Sequence, residues 1–234
     1  GLDFVGFHAS GPTVRAFADS LGTRHWHHVE SFHIDWCLYH AADKAVKASY
    51  AGSHWDDAAF AARVAESAQQ LALLARPPKT MQPGAYRAWL APAAMAELLG
   101  TLGWGGFGLK ARRTGTSSLM RLAHRDEVLS PQFHLFEHTE MGSAPGFTAE
   151  GFARPGKVSL VERGLATGTL NNPRSAREYG TEANGANPWE MPESLSLLPG
   201  TIPDADAMKA LGTGLWVSNL WYLNYSDRQA CRMT

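Results

Sequence analysis

Pro83-Gly-Ala-Tyr-Arg-Ala-Trp-Leu-Ala91 runs straight into Pro92-Ala-Ala-Met-Ala-Glu-Leu-Leu-Gly-Thr-Leu-Gly-Trp104, and the reading of this junction decides the fold. The first segment alternates as a strand does. The second is rich in Ala, Leu and Met and carries its proline at the first helical position, where the missing N–H costs nothing. A strand–Pro–helix unit is therefore expected, with the helix over 92–103.

Working toward the N-terminus, the Pro-rich stretch 76–83 reads as a connector. Before it, Asp56-Asp57 offers an N-cap to a long helix in which Phe60, Val64, Ala68, Leu71 and Ala75 recur on one face. Pro77-Pro78 should end that helix. Residues 1–55 read as sheet: two short runs, Phe4–Gly11 and Val14–Ser20, separated by Gly-Pro, then an alternating segment from His25 to Tyr39.

Toward the C-terminus, Gly103–Gly108 is a glycine-rich turn, and Lys110–Ser118 is a polar connection. Short strands are expected at Phe133–Phe136, Val158–Glu162 and Leu165–Leu170, with turn signals at Arg163-Gly164 and Thr167-Gly168. Short helices are expected to stop at Gly180 and at Gly212. The apolar run Leu215–Tyr225 reads as a central strand. The expected class is α+β, mostly antiparallel sheet with a few packed helices. It divides into residues 1–78, strands plus one long helix, and a C-terminal domain over 79–234.

Charged residues are 18% of the 234 and hydrophobic ones 44%, a globular balance, and the formal net charge is −1. With no basic stripe, phosphate-driven nucleic-acid binding has no support. No apolar run reaches the roughly 20 residues that span a bilayer. Two cysteines, Cys37 and Cys231, do not make a disulfide framework, and a reducing, cytoplasmic setting is expected.

Ten histidines invite a search for metal sites. His25, His27 and His33 share one face of a strand, with His25 and His27 about 7 Å apart. Glu30 and Asp35 are expected to point away from that face. His134 and His138 flank Glu137, but on a strand they would be about 13 Å apart. Cys37 lies near His33 and His40 in sequence without the geometry of a dyad. No Gly-x-Ser-x-Gly elbow or phosphate loop occurs.

The strand–Pro–helix unit, together with the segments on its C-terminal side, resembles the TldD/PmbA (TldE) family of metallopeptidase-related proteins, also labelled modulators of gyrase. Phe147-Thr-Ala-Glu-Gly-Phe152, Leu160–Leu165, Ser175–Gly180, Thr181–Asn187 and Leu211-Gly-Thr-Gly-Leu-Trp-Val217 resemble the family's later segments in order. The resemblance implies that this chain is the middle of a longer protein. Glu150, Gly151 and Asn184 are candidate substrate contacts, and Asn184-Gly185 also reads as a tight-turn signal. Metal-bearing members carry His-Glu-x-x-x-His after a Leu-Leu pair on the helix. Here Leu98-Leu99 is followed by Gly100, Thr101 and Gly105 at those positions, and Glu97 is the lone acid on the helix. The resemblance therefore implies a TldE-like chain that binds no metal itself. Peptide hydrolysis would fall to a zinc-bearing TldD-like partner, and the oligomer could also be a homo-oligomer acting on unfolded peptide. An autonomous metal-dependent hydrolase built on His25/His27 or His134/His138, and a non-enzymatic peptide-binding module, are the alternatives.

Overall fold

The computed structural model describes residues 3–40 and 44–234. The chain divides into two compact units, residues 1–16 with Trp26–Ala85, and Phe17–His25 with Tyr86–Thr234.

The first unit is built on a three-stranded sheet of order β1-β2-β3, with β1 at Asp3–Ala18, β2 at Arg24–His40 and β3 at Lys44–Gly52; the adjoining ends of β1 and β2, within Phe17–His25, belong to the second unit. β2 and β3 pair antiparallel from Phe32↔Gly52 to His40↔Lys44. The two short runs expected before residue 20 are instead the single strand β1, which passes through Gly11-Pro12. β1 is an edge strand, where a proline can sit without breaking a ladder bond if its nitrogen faces outward. Helix α1 (Asp57–Leu74) starts where expected, because the Asp56 side chain accepts from the N–H of Ala58 (2.8 Å) and Ala59 (3.0 Å). Its apolar face, Phe60, Val64, Ala68 and Leu71, closes a core with Trp36, Leu38 and Val46. Phe32, Tyr50, Trp55 and Phe60 add an aromatic cluster with ring centroids 4.9–6.0 Å apart.

In the second unit the deciding junction forms β4 (Ala88–Leu90) and α2 (Pro92–Leu102), with Pro92 in the first turn. The strand is much shorter than the 83–91 alternation suggests. It pairs in parallel with β9 (Leu215–Val217), from Ala88↔Leu215 to Leu90↔Val217, and the Trp89 and Trp216 rings stack 6.1 Å apart. A second, four-stranded sheet has the order β7-β6-β5-β8, with β5 at Leu135–Glu137, β6 at Val158–Glu162, β7 at Leu165–Ala166 and β8 at Leu195–Leu197. All its pairings are antiparallel. The β6–β7 turn holds Arg163 and Gly164 at φ 47° and 75°, as a tight hairpin requires.

Leu99 from α2 packs with Phe107, Leu122, Leu135, Leu160, Val161 and Leu170 in one core. Each such side chain contributes about 1.5–3 kcal/mol when fully buried. Helices α3 (Leu109–Arg113) and α4 (Met120–His124) occupy the stretch expected as a polar connection and its continuation. α5 (Pro173–Tyr179) is capped by Asn172 and stops at Gly180, φ 66°. α6 (Ala207–Leu211) comes after a 3-10 turn at Asp204–Asp206 and stops at Gly212. The expected central strand over 215–225 is not formed. β9 ends at Val217, Trp221 and Tyr222 are 80% and 86% exposed, and Tyr222 turns to φ 59° before β10 (Tyr225–Asp227) pairs with β11 (Arg232–Met233). The run lacks the alternation that would bury one face, so hydrophobicity alone misled.

Candidate functional site

The α2 positions that matter most are occupied by groups that cannot hold zinc. Gly100 is exposed, and a Cβ built on it would meet nothing within 4 Å. Thr101 is buried, and its hydroxyl donates to the Glu97 carbonyl (3.0 Å) within the helix. Gly105 lies beyond the helix end at φ 83°, so the backbone has left the helix before this position. The Tyr225 hydroxyl donates to the Thr101 carbonyl (3.1 Å) and bonds Ser118 Oγ (3.0 Å), which fixes the end of α2. Burial raises the Tyr225 phenol. It also raises the Cys231 thiol, which disfavours a thiolate ligand there. This donor set does not fit a zinc ion.

Among the described residues no three His, Cys, Asp or Glu side chains converge as a metal site. His25 Nε2 donates to the Gly151 carbonyl (2.9 Å) and its ring stacks on Phe147 at 4.9 Å. His33 Nε2 lies 3.3 Å from Asp35 Oδ1. This corrects the expectation that Asp35 points away, since residues two apart on a strand share a face. His134 packs along Phe136, with ring centroids 6.5 Å apart.

Of the expected contact residues, Glu150 is exposed and comes after Thr148 in a turn whose Gly151 sits at φ 84°. A Cβ on Gly151 would fall 2.2 Å from the Phe17 ring, so this turn needs glycine. Asn184 is spent within the chain: Oδ1 accepts from Asn171 N (2.8 Å) and Nδ2 donates to the Thr169 carbonyl (2.7 Å).

What the fold does build is a groove of about 610 Å³ beside α2, within the usual size range of ligand clefts. Met95, Leu99 and Gly100 of α2 form one wall, Trp89 and Leu90 of β4 another, and Pro192, Leu195 and Leu197 a third. β8 is an edge strand of its sheet. His138 N donates to the Ser194 carbonyl (2.8 Å) and Leu198 N to the His134 carbonyl (3.1 Å). In that antiparallel register the N–H and C=O of Leu195 and Leu197 point away from β5.

The segment leading into β8 is anchored by Glu137. Its Oε1 accepts from the N–H of Glu193 and Ser194, both at 3.0 Å, and the residue is 7% exposed. Arg154 pairs with Glu193, which Asn187 Nδ2 also reaches (2.8 Å). Burial pushes Glu193 up, but the bonds from Arg154 and Asn187 outweigh it and leave this carboxyl below its ordinary value. Burial pushes Glu137 up, and here the two backbone N–H groups and the Arg154 charge do not outweigh it. Among the described residues Glu137 Oε2 and Arg154 Nε have no hydrogen-bond partner, and both residues line a cavity of about 10 Å³, the size of one water. Sequence reading noted Glu137 only as the residue between two histidines. Nothing local marks it, because its partners lie 56 and 57 residues away.

The profile described as the PmbA/TldA metallopeptidase C-terminal domain matches residues 83–231. Among solved structures, a proposed modulator of a DNA gyrase from Thermotoga maritima has a TM-score of 0.72 at 15% identity, over 94% of this chain and 51% of that one. TldE from Thermococcus kodakarensis gives 0.72 at 15%, over 96% and 53%. A proposed modulator of DNA gyrase from Bacteroides thetaiotaomicron gives 0.73 at 15%, over 97% and 52%. The chain thus spans about half the length of these structures, and at such identity the likeness is one of fold. No curated protein sequence matches.

Proposed function

From its membership of the PmbA/TldA metallopeptidase C-terminal domain family, to which this chain belongs, we infer a TldE-like role: holding peptide for a hydrolysis that a separate metal-bearing subunit carries out. The observation that carries this reading is the pairing of a peptide-sized groove with a helix whose motif positions are Gly100, Thr101 and Gly105. The groove is bordered by the open edge of β8. An extended peptide can add to such an edge through main-chain hydrogen bonds, with alternate side chains entering the apolar cleft. Thr101 offers only a hydroxyl already bonded within the helix, and neither glycine offers a donor or a base. The zinc of the reaction therefore belongs to the partner, a TldD-like chain.

Among the described residues no helix is long and apolar enough to cross a membrane. Cys37 and Cys231 are free thiols, which suits the cytoplasmic setting we propose.

The test is to purify the protein alone, measure zinc and peptide hydrolysis, and then add a metal-bearing family member. The expected result is well under one equivalent of zinc, no turnover alone, and turnover with the partner that rises with the amount of this chain. About one equivalent of zinc with hydrolysis by this chain alone, both lost on changing His25 and His27 or His134 and His138 to Ala, would replace this reading with that of a self-sufficient enzyme. Strand addition is tested by N-methylating alternate amides of a bound peptide. Binding unaffected by methylation of either set would exclude pairing to β8.

A further inference from the structure

We propose that the groove beside α2 selects extended peptides in which every second side chain is apolar and which also carry a lysine or arginine. The inference rests on the peptide-groove reading above and adds the class of peptide.

Three observations carry it. The walls present Trp89, Met95, Leu99, Leu195, Leu197 and Leu198, so every second side chain of an added strand enters an apolar cleft. A polar side chain there would be buried without a partner, at a cost that an apolar one avoids. The only charged side chains among the described residues lining the groove are Glu193 and Asp204, and both are acidic. Glu193 is already engaged by Arg154 and Asn187. Asp204 is exposed at the start of the 3-10 turn after β8 and lines the groove, which leaves it available to a cation bound in the cleft. An acidic peptide would meet two carboxylates and no cation.

The helix wall supplies a clean way to block the cleft. Gly100 lines the groove, and a Cβ on it meets nothing. Leucine is a better helix former than glycine. Gly100→Leu thus fills the groove on a better helix former, and an unchanged thermal midpoint separates lost binding from unfolding.

The experiment uses the whole chain and four end-capped, fluorescein-labelled octapeptides, read by anisotropy at low and high salt. One alternates Leu and Thr with a terminal Lys; the second has Glu in place of Lys; the third has Ser in place of every Leu; the fourth lacks the end charge. The Lys peptide is expected to bind about fivefold more tightly than the uncharged one, as one exposed ion pair allows, with the advantage fading at high salt. The Glu peptide should bind more weakly than either, the Ser peptide should not bind, and Asp204→Lys should reverse the Lys-over-Glu order. Gly100→Leu should abolish binding of the other three peptides. Equal affinity for the Lys and Glu peptides, or no effect of Asp204→Lys, would overturn the selectivity while leaving the peptide groove standing. Failure of every peptide to bind would overturn both. A self-associating chain whose dimer is lost in Gly100→Leu would show that a second copy fills the cleft and would also overturn the proposal.

Discussion

Replacing Glu137 by glutamine should stabilise this protein at neutral pH. Glu137 is almost fully buried; Oε1 takes two backbone N–H groups and Oε2 takes none, while Arg154, the cation that acts on it, is paired with Glu193. Glutamine keeps an acceptor for both N–H groups. It loses charge assistance of about 1 kcal/mol on each bond and buries an amide NH2 at about 1 kcal/mol. Against this it removes an ion whose effective burial penalty is several kcal/mol. The balance favours glutamine by about 1 kcal/mol at pH 7. Glu137→Ala, in contrast, leaves the N–H groups of Glu193 and Ser194 without an acceptor and should cost about 1–3 kcal/mol.

The pH dependence fixes the sign. Because burial raises the folded-state carboxyl, the native protein keeps this proton over a range in which the unfolded chain has lost it. The Glu137 contribution to stability is then greatest below the ordinary glutamate pKa of about 4.3, declines as pH rises to the raised value, and stays low above it. Glu137→Gln has no such decline. Urea unfolding of both proteins from pH 4 to 8 gives the difference curve, in which titrating groups that do not interact with Glu137 cancel. Hydrogen exchange at the amides of Glu193 and Ser194 reports on the anchor itself. The variant should gain on the wild type as pH rises. A variant that loses ground with rising pH, or one destabilised at pH 7 by more than about 1 kcal/mol, would show that the two N–H bonds and Arg154 outweigh burial after all.

The other predictions concern the supports of the two units. Gly151→Ala forces a side chain into a left-handed conformation and against the Phe17 ring, and should cost at least about 2 kcal/mol in thermal or urea unfolding; an unchanged midpoint would refute the docking of this turn. Tyr225→Phe removes the donor to the Thr101 carbonyl and the bond to Ser118, with an expected loss of about 1 kcal/mol and faster amide exchange at the end of α2. Asp56→Ala should cost about 1 kcal/mol and fray the first turn of α1, while Asp56→Ser should recover most of it.

The parts that were legible in sequence share a physical trait: their determinants are local. The Asp56 cap, the apolar face of α1, Pro92 at the head of α2 and the Arg163-Gly164 turn each fix backbone geometry within a few residues. The parts that were not legible depend on distant partners. α3 and α5 are secured at their starts by Glu190, a buried residue at φ 54° whose Oε2 accepts from Lys110 N and whose Oε1 accepts from Asn172 N. No periodicity in Lys110–Ser118 announces that support. The candidate site divides in the same way. The groups missing from α2 could be read directly from Gly100, Thr101 and Gly105. The groove could not, because its walls come from β4, α2 and the 191–200 segment, about 100 residues apart, and its third wall is held by Glu137. A glycine at position 100 looks like a loss when the helix is compared with a metal-binding one. Beside the groove it leaves an open wall, and that makes Gly100→Leu the substitution that best separates a chain that merely lost its metal from one that holds peptide.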